Sequence, residues 1–184
     1  MNPPFLLILT GPPGAGKTTL APLVAGHFSP SVVIEGDALW ANVVRGFIDP
    51  WEPAAHEQNR VLVGASIAAA TTLVRGGYAT ILSGHLGPWF LDELRGDLAV
   101  VGAPVMYVVV RPTLDVCLAR CVQRQSDPRH AGALSDVAVI RHLYEEYSDL
   151  DAYDAHVVDT SKLDADDAAS IILRVMSSGD VRLS

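Results

Sequence analysis

The sequence predicts an α/β fold, a parallel β-sheet with helices on both faces. Three observations predict it. Short apolar runs alternate with longer helical patterns along the whole chain. The runs "FLLILT" (5–10) and "APVMYVVV" (103–110) are apolar almost without a break, as in strands buried on both faces. A glycine-rich turn follows the first run and opens a helix. Strands joined through helices must cross over and run parallel. In such a sheet, ligands bind at the carboxyl ends of the strands.

In order, residues 5–10 form the first strand and residues 16–27 a helix that Pro22 should kink. "VVIE" (32–35) is the second strand, and "GDALWANVVRGF" starts a helix. Two prolines within 50–54 break the pattern. A long small-residue helix follows, apolar on most sides and so expected to be well buried, ending at Gly76-Gly77. "YATILS" (78–83) is the third strand and "GPWFLDELRGDL" one short helix. Residues 103–110 are the fourth strand, and "TLDVCLARCVQRQ" is a helix with Thr113 at its N-cap. "SDPRHAGALSD" (126–136) has the turn chemistry of a mobile loop, followed by a helix over about 136–149. "HVVDTS" (156–161) is the fifth strand, and residues 164–176 are the last helix.

The 184 residues fit one domain, 1–184, with a sizeable core. Apolar residues make up 49%, yet no run approaches the roughly 18 residues of a membrane span. The N-terminus has no basic region before its apolar run, so it reads as a strand rather than a signal peptide. Cys117 and Cys121 are four apart in a helical pattern, where geometry does not favour a disulfide. Two buried thiols, kept reduced in the cytoplasm, are the expectation. A net charge of −8 weighs against nucleic acid as a partner.

Gly11-Pro12-Pro13-Gly14-Ala15-Gly16-Lys17-Thr18 matches G-x-x-x-x-G-K-[ST], and Thr19 follows. The match lies directly after a strand and opens a helix, the context that a phosphate-binding loop needs. Its glycines allow positive φ and close backbone approach, while the prolines limit the entropy lost on binding. The helix N-terminus adds partial positive charge. Lys17 is expected on the β- and γ-phosphates of ATP, and Thr18 on Mg²⁺. Lys17 and Lys162 are the chain's only lysines, so one inside the motif carries weight.

Asp37 leaves the second strand at the sheet's carboxyl edge. There it could take the proton of an acceptor hydroxyl, hold the Mg²⁺ shell, or cap the next helix. Glu35, two residues earlier, is a weaker candidate.

With "GPPGAGKTT", "VVIEGDALW", "GYATILSG", "RPTLDVCLARCVQR" and "HVVDTSKLDADDAA" in this order, nearly the whole chain resembles small P-loop kinases. It is most similar to the chloramphenicol phosphotransferase-like and gluconate-kinase-like proteins, often labelled AAA-type ATP-binding proteins. The resemblance implies a three-layer P-loop NTPase fold with a five-stranded parallel sheet, ordered 2-3-1-4-5, and a mobile lid. It implies phosphoryl transfer from ATP to a small-molecule hydroxyl, with Asp37 as the catalytic or metal-linked acid. It places adenine contacts on "DTSKL" (159–163), including Ser161. One departure is Ser83, where many P-loop proteins have an Mg²⁺-supporting Asp, and it weighs against a motor-type ATPase.

Arg120 and Arg124 lie four apart and lead into a lid of about 124–136 that also holds Arg129. Lid arginines would stabilise charge on the transferred phosphoryl group, and Arg120 could instead stack on adenine. Trp40, Arg45, Phe47, Trp51, His56, His85, Trp89 and Phe90 fall in segments expected above the strand ends. Such an aromatic lining suits a neutral, partly apolar acceptor, with His85 placed to bond it. His27, His130, His142 and His156 read as surface or structural. The leading reading is an ATP- and Mg²⁺-dependent kinase of a small hydroxylated molecule, an antibiotic or a sugar-like alcohol among them. The alternatives are a nucleoside monophosphate kinase, which needs arginines among Arg45, Arg60, Arg75 and Arg95, and a non-enzymatic or hydrolytic nucleotide switch. A polynucleotide 5′-kinase is disfavoured by the charge.

Overall fold

The computed structural model describes residues 3–125 and 134–183. Five parallel strands form one sheet in the order β2-β3-β1-β4-β5, the order implied by the resemblance. They are β1 (Phe5–Thr10), β2 (Ser31–Glu35), β3 (Ala79–Ser83), β4 (Val105–Val110) and β5 (Val157–Val158). Every residue of β1, β3 and β4 is buried, which is why these runs carry no polar alternation. β1 pairs with β3 from Phe5–Ala79 to Leu9–Ser83 and with β4 from Leu6–Val105 to Thr10–Val109.

The pleat of β1 divides the core. Phe5, Leu7 and Leu9 pack with helices α1 (Lys17–Ala25) and α7 (Ala165–Ser178). Leu6 and Ile8 face the other layer, with Val63, Ile67 and Val74 of α2 (His56–Arg75). Pro22 stands inside α1 but is exposed. Its missing N–H therefore frees a carbonyl on the solvent side, where water can reach it.

Four expectations are corrected. α2 is not buried on most sides: Asn59, Val63, Ser66, Ile67, Ala70, Thr71 and Val74 face inward, while residues such as Val61, 52% exposed, face out. The segment after residue 35 forms a 3₁₀ turn, Gly36–Asn42, rather than an α-helix. The segment 87–98 holds two short helices, α3 (Pro88–Leu91) and α4 (Arg95–Ala99), separated by a turn. The fifth strand is two residues long, because it meets β4 only at Val109 and Val110, where β4 ends; the tail after α7 takes the earlier part of the same edge. The tail runs antiparallel there: Tyr107 N–H donates to the Val181 carbonyl at 2.9 Å, and Leu183 N–H donates to the Val105 carbonyl at 2.9 Å.

Between β4 and β5 lie α5 (Leu114–Gln125) and α6 (Val137–Glu145), the latter capped by Asp136, whose carboxylate accepts from Ala138 N–H at 2.8 Å. Cys117 and Cys121 are buried free thiols on α5. Residues 126–133, which carry most of the expected lid with Arg129 and His130, lie outside the described residues. Among the described residues, no helix is long and apolar enough to cross a membrane.

Candidate functional site

The loop between β1 and α1 is shaped by glycine. Gly11, Gly14 and Gly16 have φ of 145°, 78° and 101°, values that side chains resist. A Cβ on Gly11 would lie 2.1 Å from the Val110 carbonyl oxygen, and one on Gly14 would lie 2.3 Å from that of Cys117. The loop is thus pressed between the end of β4 and the start of α5. Lys17 is buried and donates to the carbonyls of Gly11 at 2.7 Å and Pro12 at 3.2 Å. Burial pulls its pKa below the ordinary value; Asp37's charge works against that, and Arg124's works with it. A buried ammonium whose hydrogen bonds go to two backbone carbonyls favours contact with anionic oxygens.

Asp37 and Lys17 line one cavity of about 870 Å³, together with Pro13, Gly14, Ala15, Gly16 and Thr18. Asp37 does not cap a helix: Glu35 occupies the N-cap position of the 3₁₀ turn, and no side chain caps it. Its Oδ1 instead accepts from the His85 backbone N–H at 2.8 Å. Gly84 makes this approach possible, since a Cβ there would lie 3.1 Å from that same oxygen. Glu35 is exposed and does not line the cavity. Ser83 is buried at the end of β3.

Away from the phosphate loop, the cavity is walled by Trp40, Trp51, Trp89, Phe90, His56 and His85. Trp40 Nε1–H donates to Asn59 at 2.8 Å, and Asn59 donates to the Pro50 carbonyl at 2.7 Å, so α2 and the 50–53 loop hold this wall. His85 lies 3.1 Å from Glu146 through Nε2, and Trp89 stands edge-on to Tyr147 with ring centroids 5.4 Å apart. Tyr147 is buried and shares a 2.9 Å hydrogen bond with Thr10 at the end of β1. Burial pushes its phenol pKa up, so it stays protonated.

Two expected wall residues are not there. Arg45 and Phe47 are exposed and line neither this cavity nor its neighbour. The other arginines of this region are engaged elsewhere: Arg60 with Glu57, Arg75 with the Val100 carbonyl, and Arg95 with Asp92.

A second cavity, of about 360 Å³, lies across the loop. Ala15, Gly16 and Thr19 line it with Arg120, Arg124, Thr160, Leu163 and Asp164. Arg120 donates to the carbonyls of Ala15 at 3.0 Å and Gly14 at 3.5 Å, bracing the loop. Arg124 lines both cavities. Ser161 lines neither: its hydroxyl accepts from Thr113 N–H at 2.8 Å and donates to Asp159, tying α5 to the chain after β5.

Sequence reasoning missed several members of the site, Glu52 among them. Asn59, Glu146 and His142 line the main cavity, so the reading of His142 as a bystander is corrected, and Tyr147 supports His85 and Trp89 from beneath. The signal was present: His142 and Glu146 are four apart at the end of one helical pattern and share a face.

Among solved structures, the chain resembles a gluconokinase from Sinorhizobium meliloti, with 15% identity, TM-score 0.66 and coverage of 97% of this chain and 94% of that one. It resembles the APS kinase CysC of Mycobacterium tuberculosis, solved with AMPPNP and APS, with 19% identity, TM-score 0.65 and coverage of 96% and 99%. It also resembles the Deinococcus radiodurans tunicamycin resistance protein, with 19% identity, TM-score 0.65 and coverage of 95% and 96%. These likenesses show the fold. No curated protein matches the sequence. The family model described as an AAA domain, AAA_33, matches residues 6–145. With that match spanning the phosphate loop, Asp37 and most of the main cavity's lining, the chain belongs to this AAA-domain family.

Proposed function

We propose that the protein is an ATP- and Mg²⁺-dependent phosphotransferase that moves the γ-phosphate to a hydroxyl of a small molecule. The observation that carries this reading is one cavity with the phosphate loop at one end, aromatic walls at the other, and Asp37 between Lys17 and His85. In this reading the chain is one domain, 1–184, closed by a lid over about 124–136 and working in the cytoplasm.

The residues present fit the donor. The glycines let the loop fold tightly against Val110 and Cys117, and Gly14, Ala15 and Gly16 line the cavity, where backbone N–H groups suit phosphate. Lys17 would exchange its two carbonyl partners for phosphate oxygens, and Thr18, exposed on the cavity wall, would hold the metal through its hydroxyl. Bound Mg²⁺ would neutralise charge on the phosphates. The AMPPNP in the APS kinase of the same fold supports a nucleoside triphosphate as donor. The second cavity takes the nucleoside end, with Arg120 and the 160–164 segment against it. Arg124 serves the transferred group from between the two cavities.

Asp37 accepts the hydroxyl proton while the acceptor oxygen bonds to the γ-phosphorus. The bond to the β–γ bridging oxygen breaks, and ADP leaves. The His85 N–H holds one oxygen of Asp37 and leaves the other for the acceptor. The positions of Arg45, Arg60, Arg75 and Arg95 weigh against a nucleoside monophosphate acceptor.

A coupled ADP-release assay tests the reading. Asp37→Asn should keep ATP affinity and lose acceptor-dependent turnover by about 10²-fold or more, the usual scale of general-base catalysis. ADP release that no hydroxyl compound stimulates, and that is equal in both proteins, favours a hydrolytic switch instead.

A further inference from the structure

We infer that the acceptor is an amine-bearing alcohol with an apolar ring or chain, its cation recognised by Glu52 and Glu146 in the cavity that Trp51 and Trp89 also line. This rests on the phosphotransferase reading of the same cavity, and goes beyond it in fixing the acceptor's charge.

The cavity is electrically polarised. Its lysine and its arginine, Lys17 and Arg124, stand at the phosphate loop. The cavity's carboxylates among the described residues are Asp37 near the loop, Glu52 next to Trp51, and Glu146 against His85. The histidines there do not reverse this. His85 faces Glu146 at 3.1 Å, His56 faces Glu93 at 3.3 Å, and His142 stands four residues before Glu146 on the same face. The nearby arginines are committed outside the cavity, as described above. An acceptor carboxylate or phosphate would surrender its water to a wall of like charge, whereas an ammonium gains partners.

The aromatic wall adds to this preference. Trp89 lies over Gly87: a Cβ on Gly87 would sit 2.1–2.3 Å from three atoms of the indole's six-membered ring. Tyr147 meets Trp89 edge-on. Trp51 is the half-buried neighbour of Glu52 on the same wall. Indole faces attract organic cations, and more strongly when water is displaced. Rings and carboxylates together select a group that is both cationic and greasy.

The chain's three tryptophans all line this cavity, so intrinsic fluorescence reads its occupancy without turnover. The probes are 2-amino-1-phenylethanol, its N-acetyl derivative and mandelate, which share one ring and one hydroxyl. The amine should bind about 10-fold or more tighter than either of the others. In the Glu52→Gln/Glu146→Gln double variant that preference should fall below about 3-fold. Glu52→Gln alone, on the exposed rim, should show part of the loss and serves if the double variant does not fold. Equal or tighter binding of the acetylated compound or mandelate, no binding by any probe, or a preference unchanged in the variants overturns the inference. Acceptor-dependent ADP release with an anionic alcohol also overturns it, while leaving the phosphotransferase reading standing.

Discussion

A methyl group on Gly14 would meet the Cys117 carbonyl oxygen at 2.3 Å, at a φ of 78°. Backbone faces backbone there, so neither side can yield cheaply. Gly14→Ala should cost about 1–3 kcal/mol of stability from the strained backbone alone. Because α5 must shift, nucleotide affinity should fall about 10-fold or more; urea melts and titration with a fluorescent ATP analogue check the two effects separately. Lys17 presents the opposite case, a residue kept at a cost in stability. The folded state holds its proton less firmly than the unfolded chain does. Between its lowered folded pKa and the ordinary 10.5 the unfolded chain binds more protons, so stability rises with pH across that window. Lys17→Met should abolish ATP binding, leave the melting temperature equal or higher at neutral pH, and remove that alkaline rise.

At the scale of elements, legibility followed burial. β1 and β4 are buried along their whole length, so their apolar runs have no competing reading. α2 misled because alanines and glycine make its exposed face look apolar; only its contacts with the sheet reveal which side is covered. β5 could not be sized from "HVVDTS", since its length is set by where its partner β4 ends, and the earlier part of that edge is taken by a segment more than twenty residues later. That segment's anchor is Val181, which is fully buried. Val181→Ala should loosen the tail, expose the lower edge of β4 and cost about 1–3 kcal/mol in urea denaturation. A change near zero would mean that the tail contributes no stability.

At the scale of the molecule, function depends on which strand ends converge. The order β2-β3-β1-β4-β5 sets the turns after β1, β2 and β3 side by side. This is why Lys17, Asp37 and His85, far apart in sequence, line one cavity. The phosphate loop was legible because its chemistry is local to eight residues. Asp37 was legible because it follows a strand. Tyr147 was not, because its hydrogen bond to Thr10 at the end of β1, far away in sequence, decides its role. The chain Thr10–Tyr147–His85–Glu146 links the sheet to the segment that follows the expected lid.

The central claim is transfer of phosphate to a small hydroxyl compound with Asp37 as base. Its most direct test is mass spectrometry after incubation with Mg·ATP and a mixed panel of amino alcohols, sugars, nucleosides, nucleotides and antibiotics, with Asp37→Asn in parallel. The account predicts that a hydroxyl compound gains one phosphate with the unaltered protein and not with the variant. Phosphate gained by a nucleoside monophosphate, or ATP consumed equally by both proteins with no panel member modified, would contradict it.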